Sequence, residues 1–422
     1  MSTQTTFDNM INEYLPNSLL VNEIMKGDWL LANVEKDNSW LGGNNLVVPF
    51  SGASASAVKF GSLTAVADIT QARTVRGNIE NQPEVWGSLK FNEKDLVRHG
   101  RLSEQNLLRI LPDQVEDFTR YMRRALSLSI LNGAAFDTAA GNGSVSGTIQ
   151  VGRPERFEIG QPFVLKGNVQ AAQTFYCGKV NLESDVITAY TDISLTTLAD
   201  LSAYTTADAA KFYFDGSEDS ANSLTALKAS LLSAANGGSS ALYGVTKVDY
   251  PYTQAINISG ASFTLAGFLD QLYGAMVRIQ NKSRGNPNTL LMSWNLMSAV
   301  MRGLQVEKGA YRQANDMKIN EYGFGEVTIV GPKGYAKIVG IQEMDHDYVA
   351  VLDMKALKLY SNGFIRKRVD PQDGKQFYIV RNTNGYVYVM DIAFYGDLVL
   401  ERPNRCGIIH SIPAALSAAT FT

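Results

Sequence analysis

The clearest pattern in the sequence is a recurrence of apolar positions every three or four residues across 112–132. This spacing places the apolar side chains on one face of a helix. Pro112 fits the first turn, where its missing N–H costs nothing, and Gly133 is a suitable stop. We therefore predict a helix about 30 Å long, preceded by a short helical lead at 103–110. The repeating face is formed by Val115, Phe118, Met122, Ala125 or Leu126, and Ser129.

Extended segments precede this helix. Residues 84–91 alternate between apolar and polar positions, which is typical of a half-exposed strand, and residues 46–60 form a second extended arm. The stretch between the arms is rich in turn-forming residues. We predict a long β-hairpin with little to bury, so it should project from the body. Its arms carry Lys59, Trp86 and Lys90.

Residues 1–45 read as a mixed arm that has too few apolar groups for a core of its own. The arm must therefore lie on its own body or on a neighbour. An isolated subunit would have difficulty burying the tryptophans of the arm and hairpin, and buried aromatic residues anchor interfaces. The resulting candidates for inter-subunit contact are Trp29, Trp40, Lys59, Trp86 and Lys90.

The rest of the chain mixes helices and strands. Residues 134–150 are rich in Ala, Gly and Ser and predict a loop, and 153–192 predict a small β unit. This order of elements indicates an α+β protein. Helices are predicted at 223–235, 265–280 and 295–303, and strands at 289–293, 327–330, 338–341, 348–352, 377–381 and 386–394.

The composition narrows the class of protein. The chain has 422 residues, of which 45% are hydrophobic and 19% charged, so two or three compact units are expected. A net charge of -3 excludes a strongly basic nucleic-acid binder but leaves room for local basic contacts with DNA. Cys177 and Cys406 cannot form a disulfide framework, and we predict free buried thiols. The sequence contains neither a signal peptide nor an apolar run long enough to span a membrane.

Reactive constellations are missing from the sequence. It contains no phosphate-binding loop, and Gly143–Gly147 places Val145 where a nucleophile elbow needs serine. His346 lies among acidic residues at 343–347, which we interpret as a solvated turn rather than a metal site. We expect no catalytic residue, cofactor or metal, although a hydrolase with scattered catalytic groups stays as an alternative.

Two basic groups have open interpretations. Arg120, Arg123 and Arg124 share one side of the predicted helix, as a DNA-facing or neighbour-facing patch or as a solvated face with a Glu116–Arg120 pair. The same alternatives apply to the second group, which consists of Arg366, Lys367 and Arg368.

The end of the long helix carries a family resemblance. Residues 123–133 read RRALSLSILNG and are followed by a Gly/Ala-rich loop, and 349–353 and 391–396 read as a strand-rich return. Together with the order of elements, these segments resemble major capsid proteins of tailed double-stranded DNA bacteriophages, which have the Hong Kong 97-type fold. The resemblance covers most of the chain by layout, and no short motif in it is specific.

The resemblance implies a division of the chain. The expected units are an N-terminal arm (1–45), an extended loop (46–98), a spine helix with the start of a peripheral domain (99–150), a possible inserted β domain (151–192), an axial domain (193–340) and a β-rich return to the peripheral domain (341–422).

The resemblance also implies a function. Such subunits form pentamers and hexamers of an icosahedral head that encloses packaged DNA, and the protein is made in the host cytoplasm and resides in the virion. Expected partners are further copies of the chain, a portal protein, a separate scaffolding protein and DNA bound without sequence specificity, and a decoration protein stays open. No membrane is involved. The alternative within the same fold is an encapsulin-like nanocompartment shell, which differs in carrying a protein cargo.

The extended loop and the N-terminus give two finer expectations. Residues 1–45 are too few for a fused scaffolding domain, so we expect no maturation cleavage there. Some relatives form an isopeptide bond through a lysine of the loop. The sequence shows neither a desolvated lysine nor a nearby carboxylate, so we expect non-covalent contact with the neighbour. Shortening residues 68–82 should then leave the subunit folded and impair the shell.

Overall fold

The computed structural model describes residues 24–40, 45–51, 74–80, 83–92, 97–98, 101–102, 104–218, 224–264, 267–283, 285–307, 327–369, 378–382 and 385–413. Within them, the helices are α1 (Trp29–Asn33), α2 (Glu104–Asn132), α3 (Leu227–Leu231), α4 (Phe268–Ser283) and α5 (Trp294–Glu307). The strands are β1 (Glu35–Asp37), β2 (Leu46–Ser51), β3 (Thr74–Ile79), β4 (Glu84–Asn92), β5 (Val97–Arg98), β6 (Arg101–Leu102), β7 (Ala135–Thr138), β8 (Thr148–Gln150), β9 (Pro162–Lys166), β10 (Gln173–Asn181), β11 (Val186–Tyr190), β12 (Lys211–Tyr213), β13 (Ala241–Leu242), β14 (Val245–Thr246), β15 (Ile256–Ser259), β16 (Thr289–Ser293), β17 (Val327–Gly331), β18 (Gly334–Ile341), β19 (Val349–Leu352), β20 (Leu357–Lys367), β21 (Tyr378–Asn382), β22 (Gly385–Leu400) and β23 (Gly407–His410). The predicted α+β class is confirmed.

A central sheet is built around β22, which has 16 residues. Strands β20 and β21 pair antiparallel with successive parts of one edge of β22, and β4 pairs with its other edge. Strand β1 extends the sheet beyond β20 in parallel. Strand β22 is long enough to hold three partners, which makes it the axis of the sheet.

Helix α2 covers one face of this sheet. Phe118 lies against Gly87 of β4, where a Cβ atom would come within 2.6 Å of the phenyl ring. Leu89 and Phe91 of β4 and Met122 of α2 are buried in the same core. The glycine therefore lets the helix approach the sheet closely, and the apolar stripe predicted from the sequence is the face that the helix buries.

The boundaries of α2 confirm one prediction and correct another. Gly133, with φ at +115°, follows the last turn and donates its N–H to the Ser129 carbonyl at 3.1 Å. The predicted break before Pro112 is wrong, because α2 is continuous from Glu104. A proline inside a helix removes one hydrogen bond, and packing of the long apolar stripe on the sheet offsets that loss.

The N-terminal segment lies on the body of its own chain. Ile24, Met25 and Leu30 are buried in the core beneath α2, and β1 joins the central sheet. Trp40 is only 2% exposed, and Trp29 packs against the same core. The expectation that these tryptophans need a neighbour is therefore wrong, because pairing of β1 with β20 brings them onto the body.

The predicted hairpin is also corrected. Strand β2 pairs with β3 rather than with β4, and Phe50 of β2 stacks on Tyr243 with ring centroids 6.0 Å apart. The partner was misassigned because β4 has the alternation of a half-exposed strand but pairs with β22. Shortening 68–82 would remove β3, which packs here. The remainder of the predicted loop, including Lys59, lies outside the described residues.

A closed β-barrel follows α2. Its strands run in the order β7-β12-β9-β10-β11-β8, and an antiparallel bridge between Ala139 and Val151 joins the first strand to the last. Closure removes free sheet edges. The barrel extends on both sides of the predicted β unit at 153–192, and the predicted loop at 134–150 is wrong because it contains β7 and β8. These two strands are short, and the segment between them is rich in Gly and Ala; Gly143 of that segment packs directly on the Leu201 backbone. The aromatic core of the barrel contains Phe136, Phe157, Phe163, Phe175 and Phe212.

A third sheet has the order β15-β23-β19-β16-β18-β17 and packs against α4 and α5. Strand β16 is buried along its whole length, as the apolar run predicted. The helices predicted at 265–280 and 295–303 are confirmed as α4 and α5, whereas the one predicted at 223–235 shortens to the five residues of α3. Strands β15, β20 and β23 were not predicted.

We predict that Phe163→Ala selectively destabilises the barrel. Phe163 is fully buried among aromatic rings, and removing a buried phenyl group costs about 3–5 kcal/mol. Hydrogen exchange followed by mass spectrometry should show faster exchange in β9–β12 than in β16–β19. Val169→Ala is the matched control, because Val169 is exposed. Unchanged exchange in the barrel of the Phe163 variant would contradict its assignment as a separate core.

Candidate interaction surface

The face of the central sheet away from α2 is here called the outer face. Directly paired residues of antiparallel strands project to the same side, so the register of β4, β22 and β20 defines it. Its long side chains are mostly exposed, in contrast to the buried inner face under α2. The polar or exposed residues of the outer face are Glu84, Trp86, Ser88, Lys90, Arg366, Arg368, Tyr378, Val380, Asp391 and Tyr395, and the buried Val389 and Ala393 lie beneath them.

A carboxylate organises the polar groups of the outer face. Asp391 accepts hydrogen bonds from the Ser88 hydroxyl at 2.6 Å and the Tyr378 hydroxyl at 3.3 Å. Its other oxygen lies 3.6 Å from the Arg368 guanidinium. The Asp391 side chain is nearly buried although its partners are exposed. The outer face is therefore ordered before any partner arrives.

Trp86 is the largest exposed group of this face, at 46% exposure. Its indole Nε1 donates to the Glu84 carboxylate at 3.0 Å, and its ring meets Tyr395 edge-on at 5.8 Å between centroids. The Arg368 guanidinium lies over the indole at 6.0 Å from the ring centre. The tryptophan is thus held in place while half of its surface stays open to contact.

The outer face brings together four of the residues singled out in the sequence, Trp86, Lys90, Arg366 and Arg368. Lys367 points to the other side of β20 and is only 6% exposed, and burial lowers its pKa to about 8. The sequence alone could not show that Lys367 is buried while its two neighbours are exposed, because this difference follows from the alternation of side chains along β20. Tyr378 and Asp391 were missed, although the alternation of β21 and β22 could have placed them.

The arginines of α2 separate into two places, with Arg120 and Arg124 together at Glu158 and Arg123 apart from them. Arg124 pairs with Glu158 of the barrel at 2.5 Å and donates to the Glu155 carbonyl. Arg120 pairs with Asp117 at 3.1 Å and lies 3.9 Å from Glu158, so the expected Glu116–Arg120 pair is not the one formed. The Arg123 side chain instead packs against Gly27 of the N-terminal segment. A helix turns 100° per residue, which separates neighbouring arginines once both sides are occupied.

The segment 342–348 joins the barrel, α2, α3 and the third sheet, and we call it the junction. Arg156, 5% exposed, donates to the carbonyls of Phe136 and Glu343 and pairs with Asp345 at 2.8 Å. Lys228 of α3 reaches Asp345 at 2.8 Å and Asp347 at 2.9 Å.

The end of α2 is bonded to the same segment. The Asn132 side-chain amide donates to the Glu343 carbonyl at 2.7 Å, and the Tyr348 hydroxyl donates to the Leu131 carbonyl at 3.0 Å. The segment is a turn between two strands, as predicted, but it is not simply solvated. Asp345 pairs with the buried Arg156, and Lys228 binds both Asp345 and Asp347; both cations lie far away in the sequence.

The electrostatics of the junction follow from its burial. Burial alone would raise the pKa of Asp345, but Arg156 and Lys228 outweigh it and lower the pKa to about 2. Burial, reinforced by the nearby Arg153, lowers the pKa of His346 to about 4, so its ring is neutral at pH 7. This arrangement is a structural ion-pair network rather than a proton-transfer site.

Metal binding, membrane insertion and cysteine reactivity can be assessed in the part of the chain that the structure describes. No group of three or more His, Cys, Asp or Glu side chains there is placed to hold a metal ion. None of its helices is both long and apolar enough to cross a membrane. Cys177 and Cys406 are free and buried, as predicted, and burial raises the pKa of each thiol to about 12.

The similarity of this chain to known proteins is at the level of solved structures. No protein-family model and no curated protein matches the chain. The capsid of cyanophage A-1(L) is 11% identical over 94% of this chain and 93% of that chain, with a TM-score of 0.46. The capsid of an empty GTA particle is 9% identical over 91% and 90%, with a TM-score of 0.45. The SrpI encapsulin of Synechococcus elongatus is 7% identical over 93% and 89%, with a TM-score of 0.39. At these values the likeness carries no argument about function, which has to come from the residues themselves.

We predict that Asp345→Asn destabilises the protein by roughly 2–3 kcal/mol, because Arg156 and Lys228 lose their shared carboxylate. Denaturant unfolding monitored by circular dichroism measures this change. Asp347→Asn is the control and should cost less than about 1 kcal/mol, because Asp347 is largely exposed and Lys228 keeps Asp345.

The pH dependence tests the same carboxylate. Its pKa is lowered from the ordinary value of about 3.9 to about 2, so its contribution is complete above pH ~4 and is lost as the pH falls towards ~2. The Asn variant should therefore lose less stability than the wild type across that window. Equal losses would contradict the ion-pair assignment.

Proposed function

We propose that this chain is the major capsid protein of a tailed double-stranded DNA bacteriophage, a non-enzymatic subunit with the Hong Kong 97-type fold. Its copies would form the pentamers and hexamers of an icosahedral head. The observation that carries the proposal is the pre-ordered, half-exposed aromatic and arginine surface on the outer face of the central sheet.

This surface has the composition of a protein interface. Trp, Tyr and Arg are enriched at the centres of interfaces, and the outer face presents Trp86, Tyr378 and Arg368 side by side. The polar groups of Trp86, Ser88, Tyr378 and Arg368 are already bonded to Glu84 or Asp391, so a partner can cover these groups without leaving them unpaired. Strand β21 also exposes Tyr378, Ile379 and Val380, so both of its faces are open to a partner.

Trp86, which indicates protein contact, and the basic group on β20, which suggested DNA contact, belong to the same surface. The sequence interpretation offered Arg366, Lys367 and Arg368 as DNA-facing, but Lys367 is buried and Arg368 is paired with Asp391. Glu84 and Asp391 would repel phosphate groups at the same place. We therefore favour protein contact for the outer face and assign no residue to DNA contact.

The remaining parts of the proposal follow from the family resemblance. The proposed division of the chain into an N-terminal arm, an extended loop, a spine helix, a peripheral domain, an inserted β domain and an axial domain rests on that resemblance. The proposed partners are other copies of the chain, a portal protein, a separate scaffolding protein, a decoration protein and packaged DNA. The chain would be made in the host cytoplasm and reside in the virion. An encapsulin-like shell would use the same outer face and differ in its cargo.

We predict that the purified chain, alone or co-expressed with a scaffolding protein, forms particles of many subunits visible by negative-stain microscopy. Trp86→Ser should raise the concentration needed for assembly about 10-fold or more, because interface tryptophans contribute more than ~1.4 kcal/mol. Val145→Ser is the control, since Val145 is also apolar and exposed but lies between barrel strands β7 and β8, away from the outer face. Nuclease-protected DNA in native particles would support the phage head, and a protein cargo would support the encapsulin-like alternative. A monodisperse monomer at high concentration would refute both.

A further inference from the structure

Strand β4 is an edge strand of the central sheet. It pairs with β22 along nine residues, and no strand among the described residues pairs with its other edge. Alternate N–H and C=O groups of β4 therefore point away from the sheet along about 30 Å. Such an edge is a template for pairing with another chain.

The outer-face residues of β4 are self-complementary. They read Glu84, Trp86, Ser88 and Lys90, with an acid at one end and a base at the other. If two copies of β4 lie antiparallel with Gly87 opposite Gly87, each Glu84 faces a Lys90 and each Trp86 faces a Ser88. Both ends then carry opposite charges, and each large ring lies over a small side chain.

We propose that β4 pairs edge to edge with β4 of a second copy, antiparallel and centred on Gly87, so that the central sheet continues across a local two-fold axis. The inference rests on the proposed function and deepens it by naming one subunit contact of the shell. The contact is isologous, since the same strand serves both copies. It is also lateral, because the two sheets extend one another and do not stack.

The register follows from the charges. A shift by one residue turns the outer-face side chains towards the core. A shift that centres the pair on Trp86 places Glu84 opposite Ser88, and one centred on Ser88 places Lys90 opposite Trp86. The register centred on Gly87 alone satisfies both charges. On the inner face it sets Val85 opposite Leu89, so apolar groups meet apolar groups beneath α2.

Two single charge reversals and their mixture test the register. Glu84→Lys and Lys90→Glu each create two like-charge pairs per contact, so each variant alone should need about 10-fold more protein to assemble. An equimolar mixture should recover, because lysines of one variant then face glutamates of the other. The double variant E84K/K90E should recover alone. Both residues are exposed, and unchanged melting curves show that each variant is folded.

A cross-link provides a readout that does not require assembly. In the double variant W86C/S88C, the thiol introduced at position 86 of one copy lies opposite the thiol introduced at position 88 of the other. Mild oxidation should therefore give a disulfide-linked dimer on a non-reducing gel. Cys177 and Cys406 are buried and do not interfere. The matched control is a pair of exposed positions on the barrel, V145C/V169C, which should stay monomeric.

The outcomes separate the inference from the proposed function. If the wild type builds particles, but the charge variants assemble like it and no specific dimer forms, the β4 contact is wrong and the shell function stands. If the wild type builds no particles but the dimer forms, the contact stands and the shell function fails. If neither particles nor dimer form, both are overturned.

Discussion

The close approach of α2 to the inner face of the central sheet is the contact on which the rest of the structure depends. It requires Gly87, because any side chain there would meet Phe118. Helix α2 covers the inner face, and the apolar N-terminal segment packs into the same core. Strand β22 pairs with β4 on one edge and with β20 and β21 on the other. The last turns of α2 continue past the sheet, and Leu128 enters the aromatic core of the barrel. One helix therefore sets the positions of two units.

Polar contacts then fix the orientation that the apolar contacts leave free. Hydrophobic packing between α2 and the barrel is non-directional, whereas Arg156 binds two carbonyls and Asp345 in a fixed geometry. A buried ion pair adds little net stability compared with an apolar replacement, but removing one partner is costly. The main role of the junction is therefore to select one orientation of the barrel. The cost of removing its charged groups from water is offset by hydrogen bonds from Asn132 and Arg153.

The sequence alone predicted the elements whose signal is local. The stripe of α2, its stop at Gly133 and the buried run of β16 are properties of neighbouring residues and were predicted correctly. Pairing is not local: β4 was joined to β2 because they are close in the chain, whereas its partner β22 is about 300 residues away. The barrel strands β7 and β8 are only four and three residues long and flank a Gly- and Ala-rich segment, so the composition favoured a loop. The exposed Trp86 was identified, but its neighbours on the outer face, Tyr378 and Asp391, became apparent only with the register of the sheet.

The outer face of the central sheet and its β4 edge differ in whether their polar groups are already hydrogen-bonded, and this difference separates their proposed roles. The outer face has side chains already bonded to one another, so contact there gains free energy mainly by covering Trp86 and Tyr378. The edge of β4 instead offers backbone groups that no strand among the described residues pairs with, so the proposed contact would gain direction and register from hydrogen bonds. In the proposed shell the two contacts would have different roles: apolar cover that adapts where subunits tilt differently, and a directional joint where their relation is fixed. Since Trp86 belongs to both the outer face and β4, one side chain would take part in both.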